Sequence, residues 1–196
     1  MRKVAGAFAC AAFAFLGAAS SALAQETWKT EGVSFTGWPG WCSRIGIQSD
    51  GFTTTFPLEA SPCGQSAPML TVVLAPSQDS QTPGFDERFN RIVEQVSGPA
   101  GAAYHLRRII AMNGPCVQIS HEVNANVLPG LHAYEVHSVH KCERFTVLAD
   151  TRNLNILVPG PDGTAWIITL DHPHLDLTAD QKMLLRRTAA ELAASN

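Results

Sequence analysis

Beyond residue 24 no stretch of this chain approaches the roughly 18 consecutive apolar residues that a membrane-spanning helix needs, so the remainder reads as a soluble domain. Positive charge is scarce as well. The chain has 14 Lys and Arg against 17 Asp and Glu, and the net charge of −3 becomes −5 once the two cations of the first 24 residues are set aside. Nucleic acid, whose affinity comes largely from Lys and Arg neutralising phosphates, is therefore excluded as a partner. The one internal basic doublet, Arg107-Arg108, would point to opposite faces of a strand and form no patch. Catalytic signatures are missing too. The nearest approach to a nucleophile elbow, Gly64-Gln65-Ser66-Ala67-Pro68, lacks the second glycine of the sharp turn. Gly98-Pro99-Ala100-Gly101 lacks the lysine and the following helix of a phosphate-binding loop. No two cysteines stand at a Cys-x-x-Cys spacing, which argues against structural zinc.

What is present begins with the first 24 residues. Arg2 and Lys3 precede an apolar run from Val4 to Ala19 that ends in Ala22-Leu23-Ala24, the pattern of a secretory leader with a small-x-small cleavage site before Gln25. No cysteine stands at that site, so no lipid anchor is expected. Residues 25–196 are then one domain's worth of chain, destined for the periplasm or the exterior. In that compartment Cys42, Cys63, Cys116 and Cys142 read as two disulfides. Four cysteines allow three pairings. Proximity favours Cys42 with Cys63 and Cys116 with Cys142, each closing a loop worth about 3 kcal/mol in the chain-entropy account.

Period-two alternation dominates the domain. After a polar start, Val33 to Thr36 is a short strand, and Asp50-Gly51 between Ile45–Ser49 and Phe52–Phe56 signals a hairpin. Pro57 to Pro68 reads as a turn-rich loop and Met69 to Ala75 as a strand buried on both faces. A helix is expected from about Pro83 to Ser97, capped by Thr82, with Phe85, Phe89, Ile92, Val93 and Val96 as its apolar stripe and Gly98-Pro99 as its stop. Strands follow at Ala103–Met112, Cys116–Val123, His132–His140 and Arg144–Asp150. Asn153–Val158 and Thr164–Leu170 flank the turn Pro159 to Gly163. The chain closes with a helix from about Ala179 to Ala194, where Thr178 and Gln181 form a capping box. This order predicts an α+β fold, an antiparallel sheet covered by amphipathic helices in a sandwich. The opening Gly32-Val33-Ser34-Phe35 leading into Trp38-Pro39-Gly40-Trp41, and the closing Ala165 to Leu170 followed by a loop and a final amphipathic helix, resemble proteins of the Mog1/PsbP-like fold. That fold hosts photosystem accessory subunits, a nuclear-transport factor and bacterial envelope proteins, so the resemblance implies an architecture and no activity.

Seven histidines fall after the leader. The tightest cluster is Asp171-His172-Pro173-His174 with Asp176: His172 and His174 share a side of an extended segment, so that His172, His174 and Asp176 form a candidate divalent-metal site. The competing reading is a polar loop between a strand and a helix. His137 and His140, three apart on a strand, point to opposite faces, as do His121 and Glu122, and these histidines with His105 read as edge or surface residues. Trp38 and Trp41, on a loop beside Cys42, form either a platform for a partner or ligand, or plugs for the end of the core.

Together these features describe an exported, non-enzymatic domain that needs no cofactor and binds a partner protein or envelope component. The alternatives are a metal-dependent or hydrolytic enzyme using the Asp171–Asp176 region, or a small-ligand carrier with a pocket between sheet and helix. One test follows from the cysteines alone. Denatured without reduction, the protein lacking its leader should show no free thiol by reagent titration, and four would return the cysteines to the metal and redox readings.

Overall fold

A strand buried on both faces must have neighbours on both sides, and the two most continuous apolar runs lie at the middle of the sheet. In the computed structural model, which describes residues 26–46, 48–49, 54–55, 57–76, 84–144, 147–173 and 176–195, strand β11 (Ala165–Pro173) is central to a seven-stranded antiparallel sheet. On one side stand β7 (Met69–Ala75), β6 (Leu58–Pro62) and β3 (Trp41–Ile45). On the other stand β10 (Val147–Pro159), β9 (Tyr134–Arg144) and β8 (Cys116–Ala125). Two small antiparallel pairs complete the strands, β1 (Thr27–Thr30) with β2 (Val33–Thr36) and β4 (Gln48–Ser49) with β5 (Thr54–Thr55).

The register makes one face of the sheet almost wholly apolar. Leu70, Leu170 and Leu154 lie side by side, as do Val72, Ile168 and Ile156, and all six are at most 1% exposed. Helix α3 (Ala179–Ala194) seals this face with Leu185, Ala189 and Leu192, joined by Trp28 and Phe35 of the β1–β2 hairpin. Its N-terminus carries the expected capping box, Thr178 and Gln181 each accepting from the other's backbone. The opposite face is covered differently. Helix α1 (Phe85–Ser97) lays Phe89, Ile92 and Val93 on Val136, Leu157 and Ala165, and a second helix, α2 (Pro99–Asn113), lies over β8 and β9.

Both disulfides have the expected partners, Cys42 with Cys63 and Cys116 with Cys142. Each ties an outer strand of the sheet: Cys42 is on β3, and Cys116 lies directly opposite Cys142 across the β8–β9 pair. Among the described residues no helix is long and apolar enough to cross a membrane. The leader expected over residues 1–24, the Asp50-Gly51 turn and the Thr82 cap lie outside the described residues; helix α1 starts from Gly84 with no side-chain cap bond.

Four expectations are corrected. Ala103–Met112 is not a strand but the body of α2. Gly98-Pro99, read as a stop, is also a start, because Gly98 is extended and Pro99 takes the first helical position ahead of good helix formers. Pro57–Pro68 contains strand β6, where Leu58 and Ala60 alternate inward at 2% exposure each. The polar start contains β1, with Trp28 and Thr30 inward. The strands expected at Arg144–Asp150 and Asn153–Val158 are not separate: Arg144 ends β9, and Val147 to Val158 run on in one strand, β10, because the polar run at 150–153 that reads as a break continues the ladder without interruption.

Truncating a central core leucine should cost what a cavity in such a layer costs. Leu154→Ala is expected to lose about 2–5 kcal/mol of unfolding free energy in urea titrations, whereas a loss under 1 kcal/mol would mean that the two layers close over the gap.

Candidate functional site

The residues singled out in the sequence go to three different places. His172 is buried on β11 opposite Arg152 of β10. Asp176 is exposed and its carboxylate is ion-paired with the Arg152 guanidinium at 2.5 Å, so the positive charge beside it is supplied by the chain itself. His174 lies outside the described residues. Among the described residues no three His, Cys, Asp or Glu side chains converge as a metal-ligating group.

Trp38 offers no surface. It is 2% exposed, and its indole N–H donates to the Thr188 hydroxyl of α3 at 2.9 Å, which plugs the core end. Trp41 is half-buried against it with ring centroids 4.7 Å apart in an edge-to-face arrangement. The two-tryptophan platform is therefore reduced to part of Trp41.

The histidines outside the expected cluster are the more informative ones. Alternation along β9 aims Val136, Ser138 and His140 to the α1–α2 side and His137 to the other, and the register brings His121 of β8 beside Ser138. His121 Nε2–H donates to the Ser97 carbonyl at the α1–α2 junction at 2.7 Å. A carbonyl only accepts, so in the neutral imidazole Nδ1 accepts from the Ser138 hydroxyl, 2.8 Å away. The same face continues onto β10 and β11. The Asn155 amide donates to Asn153 at 2.5 Å, the Asn153 amide donates to the Asp171 carboxylate, and the Thr169 hydroxyl donates to Asn155 at 2.6 Å. The result is a buried polar belt across four strands.

Its chemistry is that of satisfied amides and hydroxyls. Ser138 and His121 have the separation of a nucleophile and its base. Ser138, however, is 2% exposed, and the group that orients His121 is a backbone carbonyl. The pair pins the helical corner to the sheet. His140 differs from its neighbours: it is fully buried, and neither ring nitrogen has a hydrogen-bond partner among the described residues. Burial, and secondarily the nearby His121, lower its pKa below the ordinary histidine value of 6.5. Its expected surface position is corrected accordingly; α2, read as a strand in the sequence, lies against β8 and β9, and α1 packs on the same side of β9 at Val136.

The third place is a sheet edge. Strand β8 ends the order of strands, and its outer side pairs with no described strand. Val117, Ile119 and Val123 are 59%, 59% and 44% exposed, and a bulge between Gln118 and Ser120 leaves Ile119 without a partner on β9. The opposite edge, β3, is shorter, tied by Cys42–Cys63, and carries the Arg44–Glu59 ion pair at 2.9 Å. The sequence held a signal for β8, three exposed β-branched residues in ten, but which strand stands at an edge is a property of the assembled sheet.

No protein-family model matches the chain, and no curated protein does. Among solved structures it is similar to cyanobacterial PsbP (CyanoP) from Synechocystis sp. PCC 6803, at 14% identity over 88% of this chain and 94% of that one, with a TM-score of 0.48. It is also similar to LpqN, described as involved in cell envelope biogenesis of Mycobacterium tuberculosis, at 14% identity over 80% and 76% of the two chains and a TM-score of 0.33. A protein of unknown function from Pseudomonas aeruginosa gives 11% identity over 83% and 94%, with a TM-score of 0.31. Likenesses at this level carry no function across.

The burial of Trp28, Trp38 and Trp166 at 2% exposure or less gives a direct optical expectation. Acrylamide should quench Trp41 and little else, and Trp41→Phe should remove most of the quenchable fluorescence. Strong quenching that persists in that variant would place Trp38 back at the surface.

Proposed function

We propose that this is an exported binding protein that takes up an extended segment of a partner protein along the free edge of β8. The export reading rests on the leader pattern and on two formed disulfides, which persist in oxidising compartments. The observation that carries the binding reading is the β8 edge itself. It is ten residues long, holds no lysine, arginine or proline, and presents Val117, Ile119 and Val123 to solvent. Edges that must stay unpaired are blunted by charge, proline or brevity. Here Glu122 is the one formal charge, and the bulge turns Ile119 outward instead of covering it. An open row of main-chain donors and acceptors is matched by another polypeptide backbone, which supplies affinity through the ladder and specificity through alternate side chains. This favours a partner protein over a non-peptide envelope component.

The disulfide at Cys116–Cys142 fits this use, since it anchors the start of β8 to β9 and presents the edge in a fixed register. A photo-crosslinking amino acid at position 119 or 117, in protein exported in its native host, should trap one discrete polypeptide. The same group at position 183, where Met183 is 60% exposed on α3, should not. Val123→Lys should abolish the adduct while leaving the circular dichroism unchanged. Equal adducts from positions 119 and 183, or none from 117 and 119, would overturn the assignment.

A further inference from the structure

We infer that the segment taken up along β8 is a basic one: an extended antiparallel strand with a lysine or arginine opposite Glu122 and, just before it in sequence, an apolar residue opposite Val123. The inference rests on the edge-binding reading proposed above and adds the chemistry of the partner. Its first support is geometric. Every strand pair in the seven-stranded sheet is antiparallel, so a strand that continues the pattern runs antiparallel to β8. The bulge between Gln118 and Ser120 interrupts the ladder and leaves residues 120–125 as its regular stretch. Side chains alternate along that stretch. His121 and Val123 stand on the α1–α2 side with Ser138 and Val136, and Glu122 stands on the other side with His137. A side chain on an added strand meets the residue directly across from it. Adjacent positions of the partner therefore face Val123 on one side of the sheet and Glu122 on the other.

The second support is that the chain supplies no cation to Glu122. The residue is exposed, and among the described residues no ion pair reaches its carboxylate. At the opposite edge of the sheet Glu59 is paired with Arg44, and Glu135, Asp176 and Glu191 each have an arginine of their own. Glu122 has His137 directly across the ladder. Arg186, which reaches from α3 towards this side of β9, is engaged by Glu135, the residue opposite Asn124. Lys141 is on the same side of the sheet but lies opposite Val117, about 15 Å along the strand from Glu122 and outside ion-pair reach.

A lone carboxylate on an otherwise uncharged edge sorts the strands that could add to it. It favours a cation placed across from it and disfavours an anion, each by the modest amount of a cross-strand pair. The field of the whole molecule acts in the same direction. Beyond residue 24 the chain carries a net −5, which draws basic segments in and keeps second copies of the chain apart. The apolar half of the match comes from Val123 on the α1–α2 side, with Val117 and Ile119 extending the apolar surface past the bulge.

Three synthetic peptides, acetyl-Thr-Thr-Val-X-Thr-Thr-Thr-amide with X as Lys, Gln or Glu, test this when titrated into the isotope-labelled, disulfide-bonded protein at low ionic strength. The readout is the NMR shift of the backbone amides of residues 117–125. All three should move these amides, with the Lys peptide binding about fivefold more tightly than the Gln peptide and the Glu peptide weakest. Added salt should narrow the spread. Glu122→Gln should level the series and Glu122→Lys should invert it, with the circular dichroism unchanged in both. If the three peptides bind β8 equally, or their order persists in Glu122→Gln, the inference falls and the edge-binding reading stands. If none moves these amides, the inference falls, and the crosslinks from positions 117 and 119 decide the edge reading separately. A dimer in sedimentation that Val123→Lys dissociates would give the edge to a second copy of the chain and overturn the basic partner.

Discussion

The structure depends on a constraint at β10, which is buried without interruption from Asn153 to Val158. A strand in that position has no solvent face, so whatever its polar residues carry must be bonded sideways, to neighbouring strands or along its own strand. On the α3 side Leu154, Ile156 and Val158 meet this by being apolar. On the other side Asn153 and Asn155 meet it by linking to each other, to Asp171 and to Thr169. Two faces of one strand thus solve the burial problem in different ways, by dispersion and area on one and by a closed set of donors and acceptors on the other. Helix α1 then covers the apolar part of the second face, and α2 extends from it over β8 and β9.

Features set by local chemistry were legible from residues alone. The final helix, its Thr178–Gln181 capping box, the turn at Pro159–Gly163 and strand β7 all stand where patterning placed them. The cysteine pairs do as well, because short loops favour neighbours. What escaped was what depends on tertiary surroundings. A polar run at 150–153 has the composition of a turn, and only the strands on either side make it a ladder. Residues 103–112 have a mixed pattern that reads as a strand beside the strands that follow, yet Pro99 and the alanines behind it start a helix.

The candidate site was less legible than the fold, for the same reason. Asp176 looked available as a ligand until Arg152, 24 positions earlier, was seen to hold it. His140 looked like a surface residue because nothing in its neighbourhood announces that α2 will lie over that side of β9. Trp38 and Trp41 looked like a pair, but the separation of their roles comes from Thr188, at the other end of the chain. Parity was the one dependable guide: it placed His137 and His140 on opposite sides, and the register confirms it.

The cross-strand bond between Cys116 and Cys142 has a mechanical side. An outer strand under load peels from its sheet one hydrogen bond at a time, starting at a free end. At the α2 end of β8 that route is closed by a covalent rung. At the other end the chain turns back through the Asn126 N–H bonded to the Ala133 carbonyl at 2.8 Å. Traction applied along β8 is therefore shared among its ladder bonds in shear, the loading direction in which a two-stranded ribbon is strongest, and is passed through Cys142 to the middle of the sheet.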